Sequence, residues 1–380
     1  MEAIALALVI FIAIAIQCVI YQKRFFKNLY YSCDFNKHRA RVGEKVELVE
    51  TVVNNKKLPV PWLRVSIFSS KWLEYAGNIS NIIDETRYVS SIFHTSGRKR
   101  VKRKWTIECK KRGVFEINNI TLIGGDPLGI VSISESARAN TNILVYPDSV
   151  DVEQSLLPLN IMQGETIVRR WISDDPFLIS GVREYTPTDT MNRIHMAATA
   201  KVGSLMVKKC DFTSCLTVTI ILNMQSIENE RADVVDKKAV ENGIRICAGF
   251  FDIALQHGVP FRFVTNASTL DEPGEHVFSE CKAGLPQHGS LLEILAKLNL
   301  NYNTYFNDFL DSTYMGINDS EVILVTSFID DEMVENILKL KKGGNNIKII
   351  FLDYSADISK VPEGVESFMY RKKGRKEVIM

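Results

Sequence analysis

The sequence predicts a multidomain chain: one N-terminal transmembrane helix, an all-β sandwich and a doubly wound α/β domain. Three observations carry this expectation. An uncharged apolar run opens the chain, short stretches of alternating apolar and polar residues follow, and the C-terminal part alternates continuous apolar runs with helical patterns. The expected parts are an anchor over 1–22, a sandwich over 34–150, a linking segment over 151–214 and the α/β domain over 215–380.

The anchor comes first. Ala3 to Tyr21 reads AIALALVIFIAIAIQCVIY, about nineteen residues without a charge, long enough as a helix to cross a bilayer's hydrocarbon core. A cleaved signal peptide needs positive charge before a shorter run and small residues after it; here Glu2 precedes the run and Gln17-Cys18-Val19-Ile20 closes it. A retained single-pass anchor is therefore expected. Lys23, Arg24 and Lys27 flank only its C-terminal side, so the N-terminus is expected outside and the body in the cytoplasm. Seven cysteines with no C-x-x-C pair agree with reduced, mostly buried thiols.

The sandwich follows. Lys45 to Val52 and Leu63 to Phe68 alternate apolar with polar residues, as strands with one buried face do. Turn residues at Asn54-Asn55, Pro59-Val60-Pro61, Ser96-Gly97 and Gly124-Gly125-Asp126-Pro127 separate about seven such strands. Arg98 to Lys104 is strongly basic, which suits either contact with anionic lipid or charge that keeps a strand edge from pairing with other chains. With 46 basic and 45 acidic residues the net charge is +1, so no overall basic field exists to hold nucleic acid.

In the α/β domain, Leu216 to Leu222 is a near-continuous apolar and β-branched run, as in a parallel strand covered on both faces. A helix is expected from about Ala232 to Gln256, then a strand at Pro260 to Thr265, a helix after Gly289, a strand at Glu321 to Val325, a helix to Lys341 and a strand at Ile347 to Leu352. Such sheets bind ligands beyond the C-terminal ends of their strands, here near Asn223 to Ile227, Thr265 to Ser268 and Thr326 to Asp330. No glycine-rich phosphate loop lies there, so no nucleotide or other cofactor is expected.

The linking segment carries Gly181-Val182-Arg183-Glu184-Tyr185, then Asp189, Asn192-Arg193-Ile194-His195-Met196, Thr199-Ala200 and Leu205-Met206-Val207. This order resembles the signature of the bacterial family catalogued as domain of unknown function 58, with Thr188 in place of a glycine and Met196 in place of a tryptophan. Arg112-Gly113-Val114-Phe115, Gly125-Asp126-Pro127-Leu128-Gly129-Ile130 and Val145-Tyr146-Pro147 extend the resemblance upstream. The resemblance implies a membrane-anchored sandwich, a C-terminal half similar to the von Willebrand factor type A fold, and a protein partner such as a MoxR-type AAA+ ATPase. Metal-binding members of that fold place Asp-x-Ser-x-Ser after the first strand. This chain has Asn223-Met224-Gln225-Ser226-Ile227 there, and Thr326-Ser327 where a later aspartate is expected. With both carboxylates replaced by neutral groups, no metal is expected.

Two uses of the signature remain open. The signature's binding candidates are Arg183, Glu184, Tyr185, Asp189, Arg193 and Thr199; of these the charges Arg183, Glu184, Asp189 and Arg193 read as a structural clasp, with an anionic ligand held by the two arginines as the alternative. No catalytic residue is assigned: His195 near Ser204, Asp189 and Glu184 lacks any spacing that fixes a catalytic geometry, and Asp174-Asp175 before Pro176 reads as a turn or cap. The expected function is a tethered scaffold that docks a protein partner at Asn223, Gln225, Ser226, Thr326 and Ser327. The alternative is a hydrolase or anionic-ligand binder using Arg183 to Lys208.

Overall fold

The computed structural model describes residues 2–77, 81–152, 156, 174–186, 189–212, 217–228, 230, 234–353, 356–373 and 376–379. It divides into two compact units, Met1–Asp148 with Leu292–Leu298, and Ser149–Leu291 with Asn299–Met380.

The first unit opens with helix α1 (Glu2–Arg24), about 35 Å long, exposed over nearly its whole length. It is long and apolar enough to span a bilayer, a property shared with signal sequences. Ten strands follow: β1 (Leu29–Phe35), β2 (Arg39–Arg41), β3 (Lys45–Asn54), β4 (Val60–Ser70), β5 (Leu73–Tyr75), β6 (Asn81–Ile83), β7 (Thr86–Thr95), β8 (Lys99–Cys109), β9 (Gly113–Gly125) and β10 (Ser132–Tyr146). They form two sheets, β1-β3-β8-β5 and β2-β10-β9-β4-β7-β6, whose inner faces share one core that includes Leu48, Val52, Leu63, Ile67, Ile107 and Ile143. The first strand starts at Leu29 rather than near 34, and the three extra strands β2, β5 and β6 are three residues each, too short to show a period.

The foot of α1 is built into this unit. Tyr21 and Phe25 are buried in the sandwich core, and a Cβ added at Gly124 would overlap the Phe25 ring. The Lys56 ammonium donates to the Phe25 carbonyl and lies 5.2 Å from that ring's centre, a favourable place for a cation at a helix C-terminus. Tyr21 donates its hydroxyl to Pro59 O at 3.3 Å, and Gln17 Nε2 donates to Asp126 Oδ2 at 3.4 Å. The Gly-Gly-Asp-Pro stretch is thus a turn that also holds the helix, and only glycine leaves room for it.

The second unit contains the hairpin β11 (Asp174–Glu184) and β12 (Met206–Phe212), with helix α2 (Met196–Val202) between them. The expectation of a turn or cap at Asp174-Asp175 is corrected, since both start a strand paired to β12. Along the chain next come β13 (Thr217–Leu222), α3 (Lys237–Gln256), β14 (Phe261–Thr265), β15 (Ala267–Thr269), β16 (Val277–Phe278), α4 (Leu285–Lys297), β17 (Leu298–Tyr302), α5 (Phe306–Thr313), β18 (Ser320–Thr326), α6 (Asp331–Lys342), β19 (Asn346–Phe351), β20 (Glu366–Lys373) and β21 (Lys376–Ile379), of which Leu292–Leu298 belongs to the first unit.

The large sheet runs β16-β14-β13-β18-β19-β20-β21, parallel from β14 to β20 with an antiparallel strand at each edge. Both faces are covered, as the continuous apolar runs require. Leu222 and Val325 meet α3 at Gly243, while the alternate residues Ile221 and Leu324 pack with Phe306, Phe309, Met333 and Ile337 of α5 and α6. Helix α3 starts at Lys237 rather than Ala232 because Asp236 caps it, accepting from Lys238 N and Ala239 N. Helix α4 likewise starts before Gly289, at Leu285.

Candidate functional site

Parallel pairing of β13 with β18 brings their C-terminal ends level, Leu222 opposite Val325, and so sets Asn223 beside Thr326. Asn223 Nδ2 donates to Thr326 Oγ1 at 3.1 Å, and the Thr326 hydroxyl donates to Phe328 O at 2.9 Å. Asn223 Oδ1 accepts from Gln225 N at 2.9 Å, and Gln225 Oε1 accepts from Phe306 N at 2.6 Å, satisfying an amide of the first turn of α5. Asn266 Oδ1 accepts from Met224 N at 3.0 Å. Sequence reasoning missed the carboxylate that closes this loop. Glu230 is buried and accepts from Ser226 N at 2.8 Å, Ser226 Oγ at 2.5 Å and Val235 N.

The five expected docking residues therefore lie together, but not on the surface: Asn223, Gln225, Ser226, Thr326 and Ser327 are 0%, 3%, 4%, 0% and 2% exposed. The expectation that these side chains themselves meet a partner is corrected: all five are buried, with Asn223, Gln225 and Ser226 turned inward to accept from loop amides and Thr326 bonded to Asn223 and to Phe328 O. The Ser327 hydroxyl is buried with no hydrogen-bond partner among the described residues. Asn223 Oδ1 and Gln225 Oε1 are committed to backbone amides, and Ser226 Oγ, which donates to Glu230, accepts from Asp236 N at 2.9 Å.

Above this sealed floor is a cleft of about 270 Å³ lined by Gln225, Glu228, Tyr305, Asp308, Asp330 and Glu332. Asp330 Oδ1 caps α6 through Met333 N at 2.7 Å, and both its oxygens accept from Asn307 Nδ2. Asp331 instead pairs with Lys360 at 2.9 Å. Glu228, Tyr305, Asp308 and Glu332 remain exposed on the rim, so the cleft presents negative charge beside the Tyr305 ring, with Phe306 and Phe328 also in its lining.

In the signature segment, Arg183 and Asp189 meet as a two-pronged pair, Nη1 to Oδ2 at 2.7 Å and Nη2 to Oδ1 at 2.5 Å. Asp189 Oδ2 also accepts from Thr186 N at 2.9 Å and Thr186 Oγ1 at 2.7 Å, closing the turn. Tyr185 N donates to Leu205 O and Met206 N donates to Thr199 Oγ1, which tie the hairpin and α2 together; Glu184 is exposed and Arg193 half-buried. Thr188 lies outside the described residues, and Met196 opens α2 with its side chain 77% exposed. His195 Nδ1 caps α2 by accepting from Ala198 N, while the Ser204 hydroxyl faces the Met206 sulfur, so the two are directed to different partners.

The Arg183 guanidinium holds the Asp189 carboxyl well below the usual carboxylate range. A depressed folded-state value means the pairing is fully present above the ordinary aspartate pKa and is lost only as pH falls through the lower, folded one. Carbon-detected NMR is expected to show the Asp189 carboxyl still ionised where an ordinary aspartate protonates, and titrating at a higher pH, nearer the ordinary range, once Arg183→Ala removes the pair and leaves only the Thr186 hydrogen bonds. A native titration near that ordinary value contradicts the pairing.

Strand β8 pairs with β3 along Lys99 to Glu108 on one side, but with β5 only at Ile107, Glu108 and Cys109 on the other. Its basic half thus runs along a sheet edge, the position where charge discourages pairing with other chains. Cys33, Cys109 and Cys247 are buried and free, and burial pushes the Cys33 thiol up to about 12 and that of Cys109 to about 11. Cys210 and Cys215 carry side chains outside the described residues. A second unforeseen carboxylate, Glu50, lies in the sandwich core at 0% exposure.

No family model matches the chain, and no curated protein does. Similar solved structures include a CARDB domain from Pyrococcus furiosus with di-metal ions, 12% identical, covering 32% of this chain and 96% of that one, at a TM-score of 0.22. The third cohesin ScaC from Acetivibrio cellulolyticus in complex with the ScaB dockerin is 15% identical, with 30% and 99% covered and a TM-score of 0.23. A non-cellulosomal cohesin from Archaeoglobus fulgidus is 12% identical, with 36% and 99% covered and a TM-score of 0.20. Likenesses at these TM-scores carry no argument about this chain.

Proposed function

We propose that this chain is a membrane-anchored docking protein related to the domain of unknown function 58 family, its α/β unit similar to the von Willebrand factor type A fold. The observation that carries the reading is the acidic cleft over a sealed floor. Where a metal site would open at the strand ends, Asn223, Gln225 and Ser226 spend their oxygens on buried amides and on Glu230, and a negative rim of Glu228, Asp308 and Glu332 stands above them. Such a rim favours a basic segment of a protein partner over an anionic small molecule. The family resemblance makes a MoxR-type AAA+ ATPase the partner of choice. Lys23, Arg24 and Lys27 support a body on the cytoplasmic side. The engagement of Arg183 by Asp189 supports the clasp use of the signature over the hydrolase and anionic-ligand alternatives.

The test is recovery of partners from gently solubilised membranes. Reversing the rim with Glu228→Lys, Asp308→Lys and Glu332→Lys is expected to lower recovery by about tenfold, the equivalent of about 1.4 kcal/mol, while the fold persists with a melting temperature lowered by a few degrees, since Asp308 and Glu332 lie in the first turns of α5 and α6. Equal recovery from the reversed variant, or recovery of the native protein alone, overturns the reading.

A further inference from the structure

We propose that the loop Pro127–Ile130 is a second membrane contact, an apolar finger that enters the lipid beside α1 while basic residues at the same end of the sandwich rest on anionic headgroups. The proposal rests on reading α1 as a retained membrane anchor. Three independent features of the first unit carry it.

The finger is exposed and pre-shaped. Leu128 and Ile130 are 57% and 61% exposed at the tip of the β9–β10 turn. Asp126, itself 0% exposed, holds that turn by accepting from Leu128 N at 3.1 Å and Val131 N at 2.6 Å, and its backbone carbonyl accepts from Gly129 N at 3.2 Å. Gly129 supplies the positive φ of 74° that the turn needs. Two apolar side chains are thus displayed on a braced turn, which loses little conformational freedom on insertion. Scattered exposed apolar residues need no explanation, but a fixed pair beside a membrane helix does.

The finger sits at the depth of the helix. Gln17, which bonds Asp126, precedes Arg24 by seven residues, a rise of about 10 Å along the axis. With Lys23 and Arg24 at the headgroups, the root of the finger at Asp126 reaches the boundary of the acyl region. Trp62 supports the root by donating Nε1–H to Asp126 O at 3.1 Å, the apolar-bodied, polar-tipped kind of residue found at membrane interfaces.

The charge around it has the right sign. Strand directions put the connections after α1, β3, β7 and β9 at one end of the sandwich, and they are stitched together by Asn55 N to Asn28 O at 3.0 Å and Arg98 N to Lys56 O at 3.0 Å. Lys23, Arg24, Lys57, Arg98, Lys99 and Arg100 are exposed there. Basic residues at that level attract the anionic leaflet, and apolar insertion with a polybasic patch is a known pairing of membrane signals.

The full chain reconstituted into vesicles of phosphatidylcholine with phosphatidylglycerol, carrying a photo-crosslinking amino acid at one position at a time, tests this. Position 10 lies within α1, position 128 on the finger, and position 37 beyond the far end of β1. Phospholipid adducts are expected at 10 and 128, with the yield at 128 on the order of tenfold above that at 37. Adducts at 10 without adducts at 128, equal yields at 128 and 37, or cross-links from 128 to a second copy or another protein overturn the finger and leave the anchor standing. No lipid adduct at 10 overturns the anchor, and the finger with it.

Discussion

Glu50→Leu is expected to destabilise the sandwich by about 3–5 kcal/mol. The Glu50 carboxylate lies between the two sheets and accepts from three neutral donors: Tyr31 Oη at 2.9 Å, Ser91 Oγ at 3.0 Å and Trp105 Nε1 at 2.5 Å. Strands β1, β3 and β8 of one sheet and β7 of the other are thereby tied at one point. Leucine removes the desolvated acid, which favours folding, but it strands the buried Ser91 hydroxyl and the half-buried Tyr31 hydroxyl and Trp105 indole N–H at up to about 1–3 kcal/mol each. The stranded donors outweigh the gain. Glu50→Gln, which keeps one acceptor oxygen, is expected to lose about half as much. Adding Tyr31→Phe and Ser91→Ala to Glu50→Leu is expected to restore part of the stability, because donors and acceptor then leave together. Chemical denaturation followed by tryptophan fluorescence measures all of these; a Glu50→Leu variant within about 0.5 kcal/mol of native means the carboxylate holds nothing together.

Glu50 also illustrates where the sequence speaks and where it is silent. Alternation in β3 marks the face carrying Val46, Leu48, Glu50 and Val52, and the structure buries that face. Nothing local separates a buried acid on that phase from an ordinary surface one, since its donors come from positions 31, 91 and 105. The same limit applies at Gly124-Gly125-Asp126. Its turn chemistry is legible, but its grip on α1 rests on a contact 109 residues away along the chain. The parallel strands β13 and β18 were legible to within a residue or two because burial on both faces needs an unbroken apolar run. The five strand-end residues expected to dock a partner were legible as a group through their place in the sheet, but not as buried. An asparagine or serine after a strand reads equally well as surface or as a partner for loop amides, and Glu230 decides between them.

Glu230→Ala is expected to cost about 3–5 kcal/mol in the α/β unit and to open the loop between β13 and α3. The carboxylate accepts from two backbone amides, Ser226 N and Val235 N, and from the Ser226 hydroxyl, while Tyr302 Oη donates to the Glu230 carbonyl at 2.7 Å. Alanine leaves those two amides without an acceptor. Water can reach them only if the loop moves, so the loss divides between desolvation and local opening. Hydrogen exchange reads this directly: the Ser226 and Val235 amides are expected to lose protection in Glu230→Ala and to keep part of it in Glu230→Gln, whose side-chain oxygen still accepts. Unchanged protection in the alanine variant rules out the carboxylate as the loop's lock. The comparison also separates floor from rim. Glu230→Ala is expected to abolish partner recovery by disordering the floor under Gln225, with stability falling at the same time. Glu332→Lys lies on the exposed rim and is expected to weaken recovery while leaving the Ser226 amide protected, because charge at a rim acts on association rather than on the fold beneath it.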